Sequence, residues 1–439
     1  MNTKCYIKKF SALLFVLYSI SSISAKTIFV STTGTSAKDG LSWTNPKQTM
    51  AQAIGIAVEG DQIWVKGGTY GQTIGVNVSL KSISFYGGFA GTETTLTERN
   101  WVTNKTILNN TGATTATRLF LVGTSDASNF ILDGFTLQNG TSSAGGAILF
   151  SGSVSTNMTV NNCIFRNNRS TANNGAIGVI GGNSVSFYNC LFENNESAGS
   201  ASAVNILGAG KFYNCTFVNN KSATTNGSVL YLNGTNTLIN CIVWNNQKSD
   251  GSLSTISTTT ATTVKYIASD VTVGVATNSI SLNALNANAT GPNFKSPGTA
   301  VGYVADVSTL DALDYSLSDD SPCVNAGIDS VVHDSYDLAK QTRIFGGKVD
   351  MGSYENQHVA YAGITNPITN NSVWVSVQNK TIAVHGLSEK ANLKLITLDG
   401  RVILIKTIED NGTFDISAKG IYILSISQPS NKQNIKILI

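Results

Sequence analysis

Four segments align without a gap: NNCIFRNN (161–168), YNCLFENN (188–195), YNCTFVNN (213–220) and INCIVWNN (239–246). Their cysteines, Cys163, Cys190, Cys215 and Cys241, recur every 25 to 27 residues. A fifth copy precedes them as GFTLQNG (134–140), with Phe135 in the Cys position and Leu137 in the Phe position. A second series keeps step with the first: GGAILF (145–150), GAIGVI (175–180), SAVNIL (202–207) and GSVLYL (227–232). A third leads into the Cys segments: MTVNN (158–162), SVSFYN (184–189), GKFYN (210–214) and TLIN (237–240). Each period thus holds three short β-like runs separated by Gly, Asn and Ser turns. Helical repeats of similar length would show 3.6-residue amphipathic patterns, and none is present in the repeat. Three strands per period predict one coil of a parallel β-helix, stacked on the next at about 4.8 Å through hydrogen bonds between coils.

Alternation along a strand assigns the faces. Phe135, Cys163, Cys190, Cys215 and Cys241 form one inward column, and Leu137, Phe165, Phe192, Phe217 and Val243 the next. Thr136, Ile164, Leu191, Thr216 and Ile242 point outward, as do Gln138, Arg166, Glu193, Val218 and Trp244. The paired Asn after each strand (167–168, 194–195, 219–220, 245–246) are placed to bond their equivalents one coil away and to satisfy turn backbone. Small, inward and stacked between aromatic columns, the cysteines read as core. Their spacing is that of the coil and no His accompanies them, which argues against a metal site.

The composition agrees. Only 13% of the 439 residues are charged, and 29 basic against 26 acidic residues leave a net charge of +3. Nucleic acid is not an expected partner, because phosphate binding needs a basic face. A repeated ionisable residue would stack like charges one strand spacing apart, so neutral Asn, Ser, Thr and Gly are favoured outside. The few charges of the repeat alternate in sign. Glu193 aligns with Arg166, and Glu196 with Arg169 and Lys221, as an exposed cross-strand ladder worth about 0–1 kcal/mol per pair.

The ends carry other signals. Lys4, Lys8 and Lys9, an apolar run from Ala12 to Ile20, and Ser24-Ala25 read as a signal peptide over residues 1–25. The β-helix is expected over 26–357, a linker over 358–370 (HVAYAGITNPITN), and a small antiparallel β-sandwich over 371–439, built from about seven alternating runs. The fold class is therefore all-β.

These residues resemble the right-handed parallel β-helix proteins of the pectate-lyase-like superfamily. IFVSTTGTSAKDGLSW (28–43), GDQIWVKGGTY (60–70) and FYGGFAGTETTLTERN (85–100) resemble the opening coil of exported bacterial members. DYSLSDDSPCVNAG (314–327) and KVDMGSYE (348–355) resemble the segment that closes such helices. LKLITLDGRVI (393–403), GIYILSI (420–426) and KQNIKILI (432–439) resemble a type A C-terminal sorting domain of the Bacteroidetes type IX secretion system. The resemblance implies export to the cell surface or the medium and contact with that secretion machinery. It implies no single activity, since the β-helix carries lyases, hydrolases, adhesins and structural proteins.

Catalytic chemistry on this fold needs a base or paired carboxylates on one outward face. Residues 151–250 hold no His and only Glu193, Glu196 and Asp250 as acids, so no catalytic residue is assigned. Lys105, Arg99, Glu98 and Lys265, in the flanking loops, are the residues an enzyme would have to use. The acidic segment 311–355 contains Asp311, Asp314, Asp319, Asp320, Asp329, Asp334, Asp337, Asp350 and Glu355 around Arg343. It reads as a cap over the open edge of the last coil, with calcium binding as the alternative. No cofactor or metal ligand is assigned. Eight to ten coils predict a monomeric rod of about 40–50 Å whose flat polar faces suit sugars. Trp244 either stacks on a sugar ring or packs under 247–300. The expected function is non-catalytic adhesion or binding of a polysaccharide or cell-surface glycan. A polysaccharide lyase or glycoside hydrolase, or a purely structural surface component, is the alternative.

Overall fold

The computed structural model describes residues 25–358, apart from 72–75, 80–81, 111–116, 124–128, 152–156, 259–260, 274–275 and 283–290. It also describes 373–438, apart from 379, 388, 398–399, 417–419 and 430–431. The signal peptide and most of the expected linker lie outside the described residues. The chain forms two compact units, one comprising residues up to Ile344 with Lys348–Asn356, the other comprising Phe345–Gly347 with Gln357–Ile439.

The first unit is a parallel β-helix. The repeat register emerges as predicted: Ile164, Leu191, Thr216 and Ile242 are direct partners on successive strands, and so are Phe165, Phe192, Phe217 and Val243. A 17-stranded parallel sheet occupies two adjoining faces, a seven-stranded sheet the third, and four short strands form a corner. Seven rungs of the third face make about seven complete coils, fewer than the eight to ten expected. The strands before and after these coils, such as Thr27–Val30 and Ile280–Ser281, extend the first sheet alone.

The core is the inward columns. Phe165, Phe192 and Phe217 stack at 4.9 and 4.7 Å between centroids, and Phe187 stacks on Phe212 at 4.8 Å. All four repeat cysteines are free and fully buried, and Cys190 Sγ contacts the carbonyls of Val160 and Tyr188. Asparagine has two separate jobs. The Asn before each Cys and the first Asn of each pair turn the corners with positive φ, as at Asn189 (51°) and Asn194 (51°). Asn tolerates that left-handed conformation, which costs other L-residues about 1–2 kcal/mol. The second Asn points inward. Asn195 Nδ2 donates to Phe165 O and Asn220 Oδ1, while its own Oδ1 accepts from Asn168 N and Nδ2. This buried amide ladder satisfies the turn backbone as the pairing predicted.

The N-terminal end is closed by a short helix, Met50–Ile56, with a capping box between Thr49 and Gln52. Met50 and Ala53 bury against Ile28 and the first coils. Seven residues are too few for periodicity to announce a helix, and none was expected there.

The acidic segment does not cap the last coil. Together with the residues before it, from 291 to 356, it forms a strap that runs back along the outside of the solenoid. One arm follows the paired-Asn corners: Asn219, Asn194 and Asn167 donate to the carbonyls of Gly298, Gly302 and Val304. The other follows the pre-Cys corners, where Asn240 bonds Ile328, Asn214 donates to Asp350 O and Asn189 to Tyr336 O. Between them Leu191, Val218 and Ile242 pack beneath Phe294, Tyr315, Leu317, Cys323 and Met351. The outward columns thus leave the interior as alternation requires, yet they are covered. Trp244 packs in this layer too, close to Gly291, which settles its two readings in favour of packing.

The second unit has two antiparallel sheets. Trp374–Gln378, Thr381–His385 and Gly412–Asp415 form one, and Val402–Ile408, Ala391–Thr397, Ile421–Ser427 and Lys432–Leu438 the other. Ile382, Val384, Leu393, Leu395, Phe414, Leu424 and Ile426 share its core, as expected for a small sandwich.

Candidate functional site

The charges singled out in the sequence divide into three groups. Arg169 and Glu196 pair at 3.5 Å on a partly exposed corner, as the ladder predicted. Arg166 and Glu193 are direct cross-strand partners but form no exposed pair. The strap supplies Asp311, which takes the Arg166 guanidinium at 2.6 Å, and Arg166 Nε donates to Gln138. Glu193 is 3% exposed, and burial pushes its carboxyl up to about 7 despite the pull of Arg166. Three carboxylates of the acidic segment fold inward on a single cation, while Asp314, Asp319, Asp320 and Asp329 stay exposed. Arg343, 1% exposed, lies among Asp337, Asp350 and Glu355, with Glu355 Oε2 4.0 Å away. These carboxylates also accept backbone N–H groups: Asp337 from Gln341 and Glu355, Asp350 from Asn325 and Asn356, Glu355 from Asp350. Among the described residues no three His, Cys, Asp or Glu side chains form a metal-binding group, and the alternative calcium reading finds no ligand set there.

The loop residues named for an enzyme do not converge. Glu98 accepts backbone N–H groups of Thr94 and Thr95, and Lys265 is exposed near the last coils. Arg99 and Lys105 reach the outer face, where two pockets flank Trp101. Lys105, Arg166, Asp311 and Tyr354 line one of about 410 Å³. The other, of about 460 Å³, is lined by Tyr86, Arg99, Asp133, Asn161, His333, Asp334, Tyr336 and Lys340 among others.

The larger pocket has a cause in the repeat. Trp64, Tyr86, Asp133, Asn161, Tyr188 and Tyr213 are in register on successive strands and form one outward row. The aromatic residues are interrupted at Asp133 and Asn161, where short polar side chains leave a hollow. Two side chains from outside the row border it. Arg99 pairs with Asp133 at 2.7 Å, and its guanidinium lies 5.3 Å from the Tyr86 ring and 4.8 Å from Trp101. From the strap, His333 stacks on Tyr188 at 4.2 Å, and Tyr188 stacks on Tyr213 at 5.2 Å. Asn189 holds the strap here through Tyr336 O, and Trp101 Nε1 holds it through Leu338 O. His333 Nδ1 meets Asp334 Oδ1 at 2.9 Å, and that bond raises the imidazole's pKa above its usual value. Lys340 donates to Arg99 O and faces the rings of Trp101 and Tyr336.

Two residues lining this pocket each carry an enclosed oxygen with no hydrogen-bond partner among the described residues, Asn161 Oδ1 and Asp334 Oδ2. Asn161 is 6% exposed. A buried acceptor left unpaired costs about 1–3 kcal/mol. The arrangement can hold a ring against the aromatic side chains of Tyr86, His333 and Tyr336. Of these residues the sequence reading weighed Arg99, and Asp334 only within the acidic segment. The break in the aromatic row was visible in the aligned third series, where Asn161 stands opposite Tyr188 and Tyr213. His333 and Lys340 belong to no repeat and carried no such signal.

Comparison with known proteins bears on the fold. Among solved structures, a rhamnogalacturonan lyase aligns with 13% identity over 56% of this chain and 68% of its own, at a TM-score of 0.31. The crystal structure of pectate lyase Pel9A aligns with 15% identity over 76% of this chain and 98% of its own, at 0.28. No curated protein matches the chain. The matching family model is the right handed beta helix region, over residues 122–267, and that stretch of the solenoid is a right-handed parallel β-helix.

Proposed function

We propose that this protein is an exported, secreted or cell-surface β-helix protein that binds a glycan without cleaving it. The single observation behind this reading is the pocket between Tyr86 and His333, with its aromatic walls. Sugars present apolar ring faces, which suit such stacking platforms. The flat polar faces favoured from the sequence are a weaker candidate, because the strap covers much of them. Export rests on residues 1–25 and on the tail 371–439, which would engage the type IX secretion machinery.

A glycan array probed with the purified full chain, with and without calcium, tests the reading. Binding is expected for a defined glycan class and is lost in the His333→Ala, Tyr336→Ala double variant. Depolymerisation of a glycan, abolished by one pocket substitution, would instead make the protein a lyase or hydrolase. Absence of binding to every glycan would favour a structural surface component.

A further inference from the structure

We infer that the strand Val402–Ile408 of the second unit pairs, antiparallel and edge to edge, with the same strand of a second copy of this chain. This strand is the outer member of its four-stranded sheet. It pairs with Ala391–Thr397 on one side, and its other edge has no strand partner among the described residues. An open edge presents backbone N–H and C=O groups that a further strand can take. Its side chains are apolar where a solvent-facing edge is ordinarily charged. Val402, Ile403 and Ile405 are 45%, 40% and 65% exposed, and no other strand among the described residues carries more than one exposed large apolar side chain. The lysine within the strand, Lys406, turns onto its own unit: Nζ donates to Thr413 O and lies over the Phe414 ring.

The order of residues points to a second copy as the partner. In a two-fold antiparallel pair one residue faces itself across the axis, because side chains alternate between faces. With Ile405 on the axis, Leu404 faces Lys406, Ile403 faces Thr407, and Arg401 faces Glu409 at both ends. Arg401 is exposed and pairs with no carboxylate among the described residues. Glu409 holds Lys390 at 3.0 Å and is 81% exposed, which leaves room for a second cation. An axis at Lys406 would set two lysines face to face, and one at Leu404 would set Arg401 opposite Thr407. Opposite charges across strands stabilise and like charges directly opposite destabilise, so charge selects the Ile405 register. A bulge between Leu395 and Ile396 in the pairing with Ala391–Thr397 shortens the regular stretch, so the contact is small and the dimer weak. The pairing uses the same edge of both copies and closes on itself, so association stops at two. A weak dimer then takes the place of the monomer expected from the sequence.

The test is sedimentation velocity of the full chain from about 1 µM to about 500 µM. A reversible monomer–dimer equilibrium is expected, with no larger species. Ile405→Lys sets two lysines opposite each other on the axis and is expected to raise the dimer's dissociation constant about tenfold or more. Arg401→Glu alone and Glu409→Arg alone are each expected to raise it about threefold or more, and the two together to restore the natural value. That restoration separates a contact between copies from damage to the fold. Amide hydrogen exchange within 402–408 should slow as the concentration rises. A chain that stays monomeric throughout, its edge then open to some other partner, overturns the inference. So does a dimer that Ile405→Lys leaves unmoved, a charge-swapped double variant no tighter than the single variants, or assembly beyond the dimer.

Discussion

Replacing Glu193 with Gln isolates the energetic consequence of the strap. Without the strap, Glu193 would sit exposed beside Arg166 as an ordinary surface carboxylate. Beneath it, the side chain is 3% exposed and its carboxyl is pushed from 4.5 up to about 7, burial outweighing Arg166. The unfolded chain ionises this group near its ordinary value, whereas the folded chain resists ionisation until about pH 7. Stability is therefore undiminished below the unfolded pKa and declines as pH rises toward the folded one. A shift of this size corresponds to about 3 kcal/mol, fully developed above pH 7. Glutamine has nearly the same shape and no proton to lose. Urea unfolding followed by tryptophan fluorescence should show Glu193→Gln equal to the natural chain near pH 4. The variant should become more stable by about 3 kcal/mol near pH 8.5. Taking the difference between the two chains removes other buried acids, such as Asp270, from the comparison. A difference that stays flat with pH would refute the argument. One that reverses, with the variant less stable at high pH, would mean that Glu193 is ionised and paired with Arg166.

Three further outcomes are expected. Arg343→Leu leaves Asp337, Asp350 and Glu355 without their shared cation and should cost about 3–5 kcal/mol. Limited proteolysis should then cut first within the strap. Asn195→Ala removes partners from Asn168, Phe165 and Asn220 at once, and unfolding should show a loss of at least about 3 kcal/mol. Cys163, Cys190, Cys215, Cys241 and Cys323 are free and buried, with thiol pKa values raised by burial. A thiol reagent should leave all five unmodified in the native chain and titrate them after denaturation.

The coil was legible because a stacked strand has one neighbour of each kind, and a repeat of 25 to 27 residues keeps its columns aligned. Cys190 and Phe192 announce themselves by position alone. The candidate site was only half legible. The interruption of the aromatic row at Asp133 and Asn161 is a repeat feature and can be read by alignment. His333, Asp334 and Lys340 reach the same place from a segment some 170 residues further along the chain, and no spacing rule links them to it.

By its sequence alone this protein determined the coil, its inward columns and its Asn corners, because those depend on contacts between neighbouring repeats. Tertiary structure alone decided which outward columns meet water. Ile164, Leu191 and Ile242 were apolar on a face taken as exposed, and their hydrophobicity was the trace of a strap not yet placed. Where the strap lies follows from non-repeating contacts: the Asn corners offering amides to its carbonyls, Arg166 meeting Asp311, and Arg343 gathering three carboxylates. The same docking buries Glu193, sets His333 against Tyr188 and forms the pocket. Its candidate chemistry thus depends on a long-range packing event that period and alternation do not encode.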